Sequence, residues 1–134
     1  MSRMNVLIVC GGRDFCGTLF EKDCIEQTIA KFKLQKNNTI IMSGGATGAD
    51  TIALEWAYEN EWNAMRVPAK WKSLGKPAGM ARNMEMLVLA VRMHAEGSEV
   101  IVLAMPGGVG TSGMVAYAKK YARTLTYISV VDRR

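Results

Sequence analysis

The sequence has one histidine and three cysteines among its 134 residues, and this scarcity excludes several kinds of site. His94 has no second histidine to act with it, so we expect neither a histidine-based catalytic triad nor a multi-histidine metal site. Cys10, Cys16 and Cys24 are odd in number and lack CxxC spacing, which argues against a disulfide framework or a zinc site. Each is predicted to be a small, semi-buried side chain in a reducing cytoplasm, and no metal is expected.

Long apolar runs and blocks of like charge are missing as well. No apolar run approaches the ~20 residues that span a bilayer, and residues 1–10 lead into a strand pattern instead of a signal peptide. No cluster of charges resembles a nucleic-acid-binding tail. We therefore expect a cytoplasmic protein without a membrane partner.

The overall composition is typical of a soluble globular domain with a net positive charge. Hydrophobic residues make up 49% of the chain, and the net charge is +5. A chain of this length can bury about two thirds of its unfolded surface, so residues 1–134 are predicted to form one domain. The positive charge suits an anionic partner, although a mildly basic surface accounts for it equally well.

Short apolar runs alternate with stretches of helical spacing along the whole chain. The runs predict strands at 5–10, 39–43, 64–68, 99–105 and 124–131. The spacing predicts helices at 18–34, from 47 or 50 to about 60, at 81–95 and at 114–122. The second helix is expected to bury Ile52, Ala53, Trp56 and Ala57. This alternation predicts an α/β fold, a Rossmann-like three-layer α/β/α sandwich with a five-stranded parallel sheet of order 3-2-1-4-5.

Glycine-rich turns follow the first, second and fourth predicted strands. They are GGRD at 11–14, SGGATGAD at 43–50 and PGGVGT at 106–111. In the predicted order these strands are adjacent, so their carboxyl ends surround the switch point where such sheets bind ligands. Glycines let an anion approach the backbone, and the first turn of a helix offers unpaired N–H groups to it. The three turns together therefore predict a phosphate or nucleotide site.

Two charged residues in these turns are candidates for ligand contacts. Arg13 suits a bidentate contact with phosphate, although an ordinary surface pair with Asp14 is the alternative. Asp50 is placed to bond a ribose hydroxyl or to orient a water, and its alternative role is that of a helix cap.

A basic loop at 69–79 and the start of the next helix supply further candidates. Trp71 stands between two lysines and can stack on a base. Arg82 and Asn83 open the helix, where the helix dipole disfavours an arginine, so a bound anion would explain Arg82 better. The alternative for the lysines and Trp71 is a solvated basic loop in which the tryptophan packs against the core.

The predicted ligand-binding set thus combines turn glycines, polar turn residues and the start of the third helix. Its members are Gly11, Gly12, Arg13, Gly44, Gly45, Thr47, Gly48, Asp50, Trp71, Arg82, Asn83, Pro106, Gly107, Gly108, Gly110 and Thr111. None of the turns has the Walker pattern GxxxxGK[ST], and none is a GxGxxG followed by an acidic residue after a second strand. Neither NTP hydrolysis nor NAD binding is supported, and no cofactor is expected.

Four motifs in order resemble those of a known superfamily. GGRD, SGGATGAD, AGMARN at 78–83 and PGGVGT are similar to the motifs of the SLOG superfamily, and more narrowly of its YspA-like members. The resemblance covers nearly the whole chain and implies a Rossmann-like domain that binds nucleotides or nucleotide-derived ligands. The superfamily includes the cytokinin-activating phosphoribohydrolases, once named lysine decarboxylases, DprA-type proteins that bind single-stranded DNA, and sensors of nucleotide signals.

One position departs from the enzymes of this superfamily. The phosphoribohydrolases carry PGGxGTxxE, with the glutamate acting on the ribose, and this chain has Met114 at that position. Their catalytic arginine corresponds to Arg82. The resemblance therefore supports phosphate binding, whereas catalysis would need a substitute acid. The catalytic candidates are Arg82, Asp50 and Asp14, and no catalytic residue is assigned.

Three hypotheses follow for the function. The favoured one is binding of a nucleotide or nucleotide-derived ligand. The first alternative is an N-glycosidic hydrolase of nucleotides, with Asp50 or Asp14 as a non-standard acid. The second alternative is binding of single-stranded nucleic acid with stacking on Trp71, which would show a steep dependence on salt.

The predicted third helix also carries an expectation about assembly. Residues 84–93 are apolar on most of the helix surface. Such a helix is either deeply buried or shared with another subunit. We therefore expect a homo-oligomer, a dimer or a tetramer.

Overall fold

The computed structural model describes residues 5–10, 19–44, 49–67, 82, 84–86, 88–89, 92, 100–104 and 127–130. Its elements, in chain order, are β1 (Asn5–Cys10), α1 (Leu19–Phe32), a 3-10 turn (Lys36–Asn38), β2 (Thr39–Ser43), α2 (Ala49–Glu59), β3 (Asn63–Arg66), β4 (Val100–Ala104) and β5 (Tyr127–Val130). Residues 82, 84–86, 88–89 and 92 are helical and fall within the predicted third helix. None of the helices described is both long enough and apolar enough to cross a membrane.

The described strands form one parallel sheet with β1 at its centre. The order is β3-β2-β1-β4-β5, and each neighbouring pair runs parallel. Leu7 lies opposite Ile41 on one side and Ile101 on the other, so the most apolar part of β1 is flanked by apolar strands. The predicted α/β class with a parallel sheet is confirmed.

Apolar side chains leave the sheet on both faces, because successive residues of a strand point to opposite sides. On one face, Leu7, Ile41 and Leu103 pack with residues of α1 and α2. The predicted inward residues of α2 are all buried there: Ile52, Ala53, Trp56 and Ala57. Burying a leucine or isoleucine side chain contributes about 1.5–3 kcal/mol, so the apolar side chains on this face supply much of the folding free energy.

The opposite face of the sheet is covered by the helical residues after 81. Met86 is 1% exposed and packs with Ile8, Met42 and Val102, and Leu89 lies partly buried against the same cluster. On this helix Val88 remains 43% exposed in the described part of the chain. The helix is therefore anchored by one side, and both faces of the sheet carry helical cover.

Both α1 and α2 end in a left-handed residue that is not glycine. Lys33 has φ 54° and Glu61 has φ 62°. The N–H of Leu34 donates to the carbonyl of Ile29 at 3.0 Å, which closes the end of α1. These are the backbone bonds of a Schellman motif, which satisfies the last carbonyls of a helix.

The end of α2 repeats this arrangement and adds an aromatic contact. The N–H of Trp62 donates to the carbonyl of Ala57 at 2.7 Å. The ring of Trp62 then lies 5.6 Å from that of Trp56, with a tilt of 48° between the planes. Trp56 is buried and Trp62 is packed against the same core, so the two rings fix the entry into β3.

Candidate functional site

The carboxyl ends of β1, β2 and β4 lie side by side at one edge of the sheet. Cys10, at the end of β1, lies opposite Ala104 at the end of β4, and Ile8 lies opposite Met42 of β2. In the sequence, the three glycine-rich segments follow these strands. From β1 the strand order proceeds to β2 and β3 on one side, and from β4 it proceeds to β5 on the other. The carboxyl ends of β1 and β4 are therefore the switch point of the sheet, where ligands bind in such folds.

Ser43 ties the end of β2 to both of its neighbours. Its hydroxyl donates to the carbonyl of Val9 at 2.9 Å, and the side chain is completely buried. Its own carbonyl accepts a hydrogen bond from the N–H of Val67 at 2.9 Å. The residue before Gly44 is thereby held in place from two directions. Ser43 was predicted to end the second strand and begin the turn, but its hydrogen bonds were not predicted, because a hydroxyl at a strand end does not reveal its partner.

Arg82 reaches from the third helix to the end of β2. Its Nη1 atom donates to the carbonyl of Gly44 at 3.2 Å. A Cβ atom added to Gly44 would lie 2.5 Å from Cζ and 2.8 Å from Nε of the same guanidinium. Two residues that are 38 positions apart, both in the predicted ligand-binding set, are therefore in direct contact.

The guanidinium brings a permanent positive charge to this edge. Arginine stays protonated at any ordinary pH and presents five N–H groups in a planar fork. Arg82 is half-buried, so its charge is less screened by water than that of a fully exposed side chain. A charged donor in this position can bond a phosphate or carboxylate bound where the glycine-rich turns leave the sheet.

Asp50 lies at the start of α2, whose bounds are Ala49–Glu59. A carboxylate in the first turn of a helix is stabilised by the positive end of the helix dipole. As the second residue of α2, Asp50 lies inside the first helical turn and not at the N-cap position before it. The ribose contact stays a prediction.

The other predicted site residues lie outside the described part of the chain. These are Gly11, Gly12, Arg13, Asp14, Gly45, Thr47, Gly48, Trp71, Asn83, Pro106, Gly107, Gly108, Gly110, Thr111 and Met114. Their roles at the site stay predictions.

The cysteines of the described segments are not joined in a disulfide. The thiol of Cys10 is buried at the end of β1 and donates weakly to the carbonyl of Leu103, with a sulfur-to-oxygen distance of 3.9 Å. Cys24 is half-buried on α1. Cys24 is the semi-buried side chain that we expected, Cys10 is more deeply buried than expected, and Cys16 lies outside the described residues.

A family model matches the first half of the chain. The model is described as the YspA, cpYpsA-related SLOG family and matches residues 5–73, just over half of the protein. The matched segment contains β1, α1, β2, α2 and β3, together with the two glycine-rich segments at 11–14 and 43–50.

A curated relative comes from a bacteriophage. The Gene 61 protein of Mycobacterium phage D29 is 38% identical over 88 residues, which are 60% of this chain and 64% of the phage protein. The match thus spans less than two thirds of the relative's own length.

Solved structures with similar folds have low sequence identity. The structural-genomics target TM1055 has a TM-score of 0.59 at 16% identity, over 88% of this chain and 70% of its own. DprA from Helicobacter pylori, whose structure title names a single-stranded DNA binding mode, has a TM-score of 0.58 at 20% identity, over 99% and 67%. DprA from Streptococcus pneumoniae has a TM-score of 0.50 at 21% identity, over 96% and 58%. At these identities, the likeness establishes the fold alone.

Proposed function

Since the chain belongs to the YspA, cpYpsA-related SLOG family, we propose that it binds a nucleotide or a nucleotide-derived ligand at the carboxyl end of its sheet. The glycine-rich turns and Arg82 hold a phosphate, and Asp50 contacts a ribose hydroxyl. The observation that carries the proposal is the contact between Arg82 and the carbonyl of Gly44 at 3.2 Å. It places a fixed positive charge where three glycine-rich segments leave the sheet.

Binding is favoured over catalysis because of the residue at position 114. A methionine thioether neither donates nor accepts a proton at neutral pH, so it cannot take the part of the glutamate found in PGGxGTxxE. Loss of this acid leaves the phosphate contacts intact. We therefore propose a ligand-binding protein, with the hydrolase as the alternative.

The proposal is tested by calorimetric titration of the wild-type protein with AMP, ADP-ribose and cyclic AMP. Arg82→Ala is expected to weaken the tightest of these interactions by about 10- to 100-fold, since a hydrogen bond to a charged group contributes about 1.5–3 kcal/mol. Arg92→Ala is the matched control, because Arg92 is exposed on the same helix two to three turns further on. Absence of binding by the wild type, or equal affinity of the Arg82→Ala variant, would contradict the proposal.

The hydrolase alternative has a direct assay. Release of free adenine from AMP would show it, and Asp50→Asn or Asp14→Asn should then abolish the rate. We expect no release of base, because the chain has Met114 where the acid is needed.

A second candidate function is binding of single-stranded nucleic acid. It is supported by the net charge of +5 and by a fold shared with DprA proteins, one of which is described by its single-stranded DNA binding mode. Fluorescence anisotropy with a labelled oligonucleotide at two salt concentrations distinguishes it from the first proposal. Tight binding that falls steeply with salt would favour nucleic acid, whereas AMP binding that changes little with salt would favour a small ligand.

We further propose that residues 1–134 form one Rossmann-like three-layer domain around a five-stranded sheet of order 3-2-1-4-5.

We also propose that copies of this chain associate in the cytoplasm as a dimer or a tetramer. The 43% exposure of Val88, within the mostly apolar residues 84–93, supports association. Light scattering at micromolar concentration is expected to give a mass above that of one chain, and a monomer would contradict this part of the proposal.

A further inference from the structure

We infer that Gly44 is a positioning residue for Arg82. The absence of a side chain at position 44 leaves room for the guanidinium, and the Gly44 carbonyl orients it toward the ligand edge of the sheet. Gly44 itself does not contact the ligand. The binding test of this inference rests on the proposed function. A second test, which measures stability, does not depend on it.

The backbone at Gly44 does not itself require glycine. Its φ lies outside the left-handed range that side chains avoid, so the strand end would accept other residues. The three heavy atoms nearest to an added Cβ all belong to the Arg82 guanidinium. The space at this glycine is therefore taken by one side chain of the protein.

The residue before Gly44 is fixed at the end of β2. The Ser43 hydroxyl donates to the carbonyl of Val9, and the Ser43 carbonyl accepts a hydrogen bond from the N–H of Val67, both at 2.9 Å. These two bonds hold the peptide group between Ser43 and Gly44. Gly44 therefore starts from a fixed position, and its own carbonyl accepts the hydrogen bond of Arg82 at 3.2 Å.

The position of Arg82 is also set by its own helix. Met86 lies four residues further on, so the two side chains lie on the same side of the helix. Met86 is 1% exposed in the core between this helix and the sheet. With Met86 anchored, Arg82 is directed at the carboxyl end of β2.

An alanine at position 44 should therefore act through Arg82. The atoms in its way are the end of a flexible side chain, so the guanidinium moves and the sheet does not. Gly44→Ala is expected to lose what Arg82 contributes to binding while the protein remains folded.

A double-mutant cycle tests this inference. The affinity for AMP is measured by calorimetry for the wild type, Gly44→Ala, Arg82→Ala and the double variant. We expect both single variants to lose about 10- to 100-fold in affinity and the double variant to lose no more than either. Losses that multiply in the double variant would mean that Gly44 acts on the ligand independently, and unchanged affinity in Gly44→Ala would also overturn the inference.

A second measurement on the same four proteins needs no ligand. The midpoint of urea unfolding is expected to fall for Gly44→Ala in the wild-type background and to stay the same or rise in the Arg82→Ala background. An equal fall in both backgrounds would overturn the inference. If the wild type binds no AMP, the binding proposal fails for that ligand, and the unfolding cycle still decides the role of Gly44.

Discussion

The two ends of the sheet are built differently. At the amino end, α1 and α2 lead into β2 and β3 through left-handed residues, and these are Lys33 and Glu61. At the carboxyl end, glycines follow three strands, yet Gly44 has no left-handed backbone. Left-handed turns are the usual reason for glycine. That reason does not hold at Gly44, where the chain has a glycine, and it does hold at Lys33 and Glu61, where the chain has none.

This contrast indicates what the carboxyl-end glycines are for. Eight of the thirteen glycines stand in the three turns, two after β1, three after β2 and three after β4. At Gly44, the one of these that the structure describes, the missing side chain allows close approach of a charged group. That the same reason applies to the other seven, with the ligand as the approaching group, is a prediction that lies outside the described residues.

The hydrogen bonds of the two ends differ in the same way. At the amino end they join residues three to five positions apart, such as Leu34 with Ile29. At the carboxyl end they join distant elements, since Ser43 and Val9 are 34 positions apart and Arg82 and Gly44 are 38. The amino end is thus stabilised locally, whereas the geometry of the carboxyl end depends on the whole fold.

The largest expected effect comes from the residue that anchors the third helix. Met86→Ala should lower the free energy of unfolding by about 2–5 kcal/mol, because it leaves a cavity between helix and sheet. Urea unfolding followed by tryptophan fluorescence measures it. Val88→Ala is the control on the same helix, since Val88 is 43% exposed, and it should cost less than about 1 kcal/mol. Equal losses for both variants would contradict the placement of this helix.

A smaller loss is expected from the buried hydroxyl at the carboxyl end. Ser43→Ala should cost about 1–3 kcal/mol, because the carbonyl of Val9 loses a donor in a site without water access. Thr28→Val is the matched control, because the Thr28 hydroxyl donates to the carbonyl of Cys24 in its own helix, at 2.7 Å. Such bonds add little to a helix, so a change within about 0.5 kcal/mol is expected. A larger cost for Thr28→Val than for Ser43→Ala would reverse the contrast.

The smallest effect has the opposite sign and lies at the amino end. Lys33→Gly and Glu61→Gly should each stabilise the protein by about 0.5–1 kcal/mol, because glycine adopts the left-handed conformation without strain. Thermal unfolding at neutral pH measures the gain. Lys33→Ala and Glu61→Ala are the controls and should give no such gain. Destabilisation by glycine at both positions would show that these side chains stabilise the turns in another way.

Much of the fold was predictable from local patterns. Apolar runs place β1 and β2 at their observed bounds, and the 3.6-residue spacing identifies the buried side of α2. The third strand was predicted at 64–68 and is observed at Asn63–Arg66, because Val67 already leaves the strand while its N–H still bonds to Ser43. The predicted loop at 35–38 contains a 3-10 turn, in which the side chain of Asn38 accepts a hydrogen bond from the N–H of Gln35.

For the candidate site, the sequence identified individual residues and not the contact between them. Gly44 and Arg82 were both identified, one from a glycine cluster and one from an arginine at a helix start. That they touch depends on how the third helix packs on the sheet, which no local pattern encodes. The left-handed backbone of Lys33 and Glu61 was not predicted, since the usual signal for such a helix end is a glycine. The end of α2 itself was predicted at about 60 and is observed at Glu59.

The most direct test of the account is an NMR titration of the ¹⁵N-labelled protein with AMP. We expect shifts in the amides of Cys10, Gly44 and Ala104 and in the Nε–H of Arg82, at the carboxyl end of the sheet. The amides of Lys33 and Glu61, at the amino end, should stay in place. Shifts centred on the amino end, or none at a saturating AMP concentration, would contradict the claim that this sheet binds a nucleotide phosphate at its carboxyl edge.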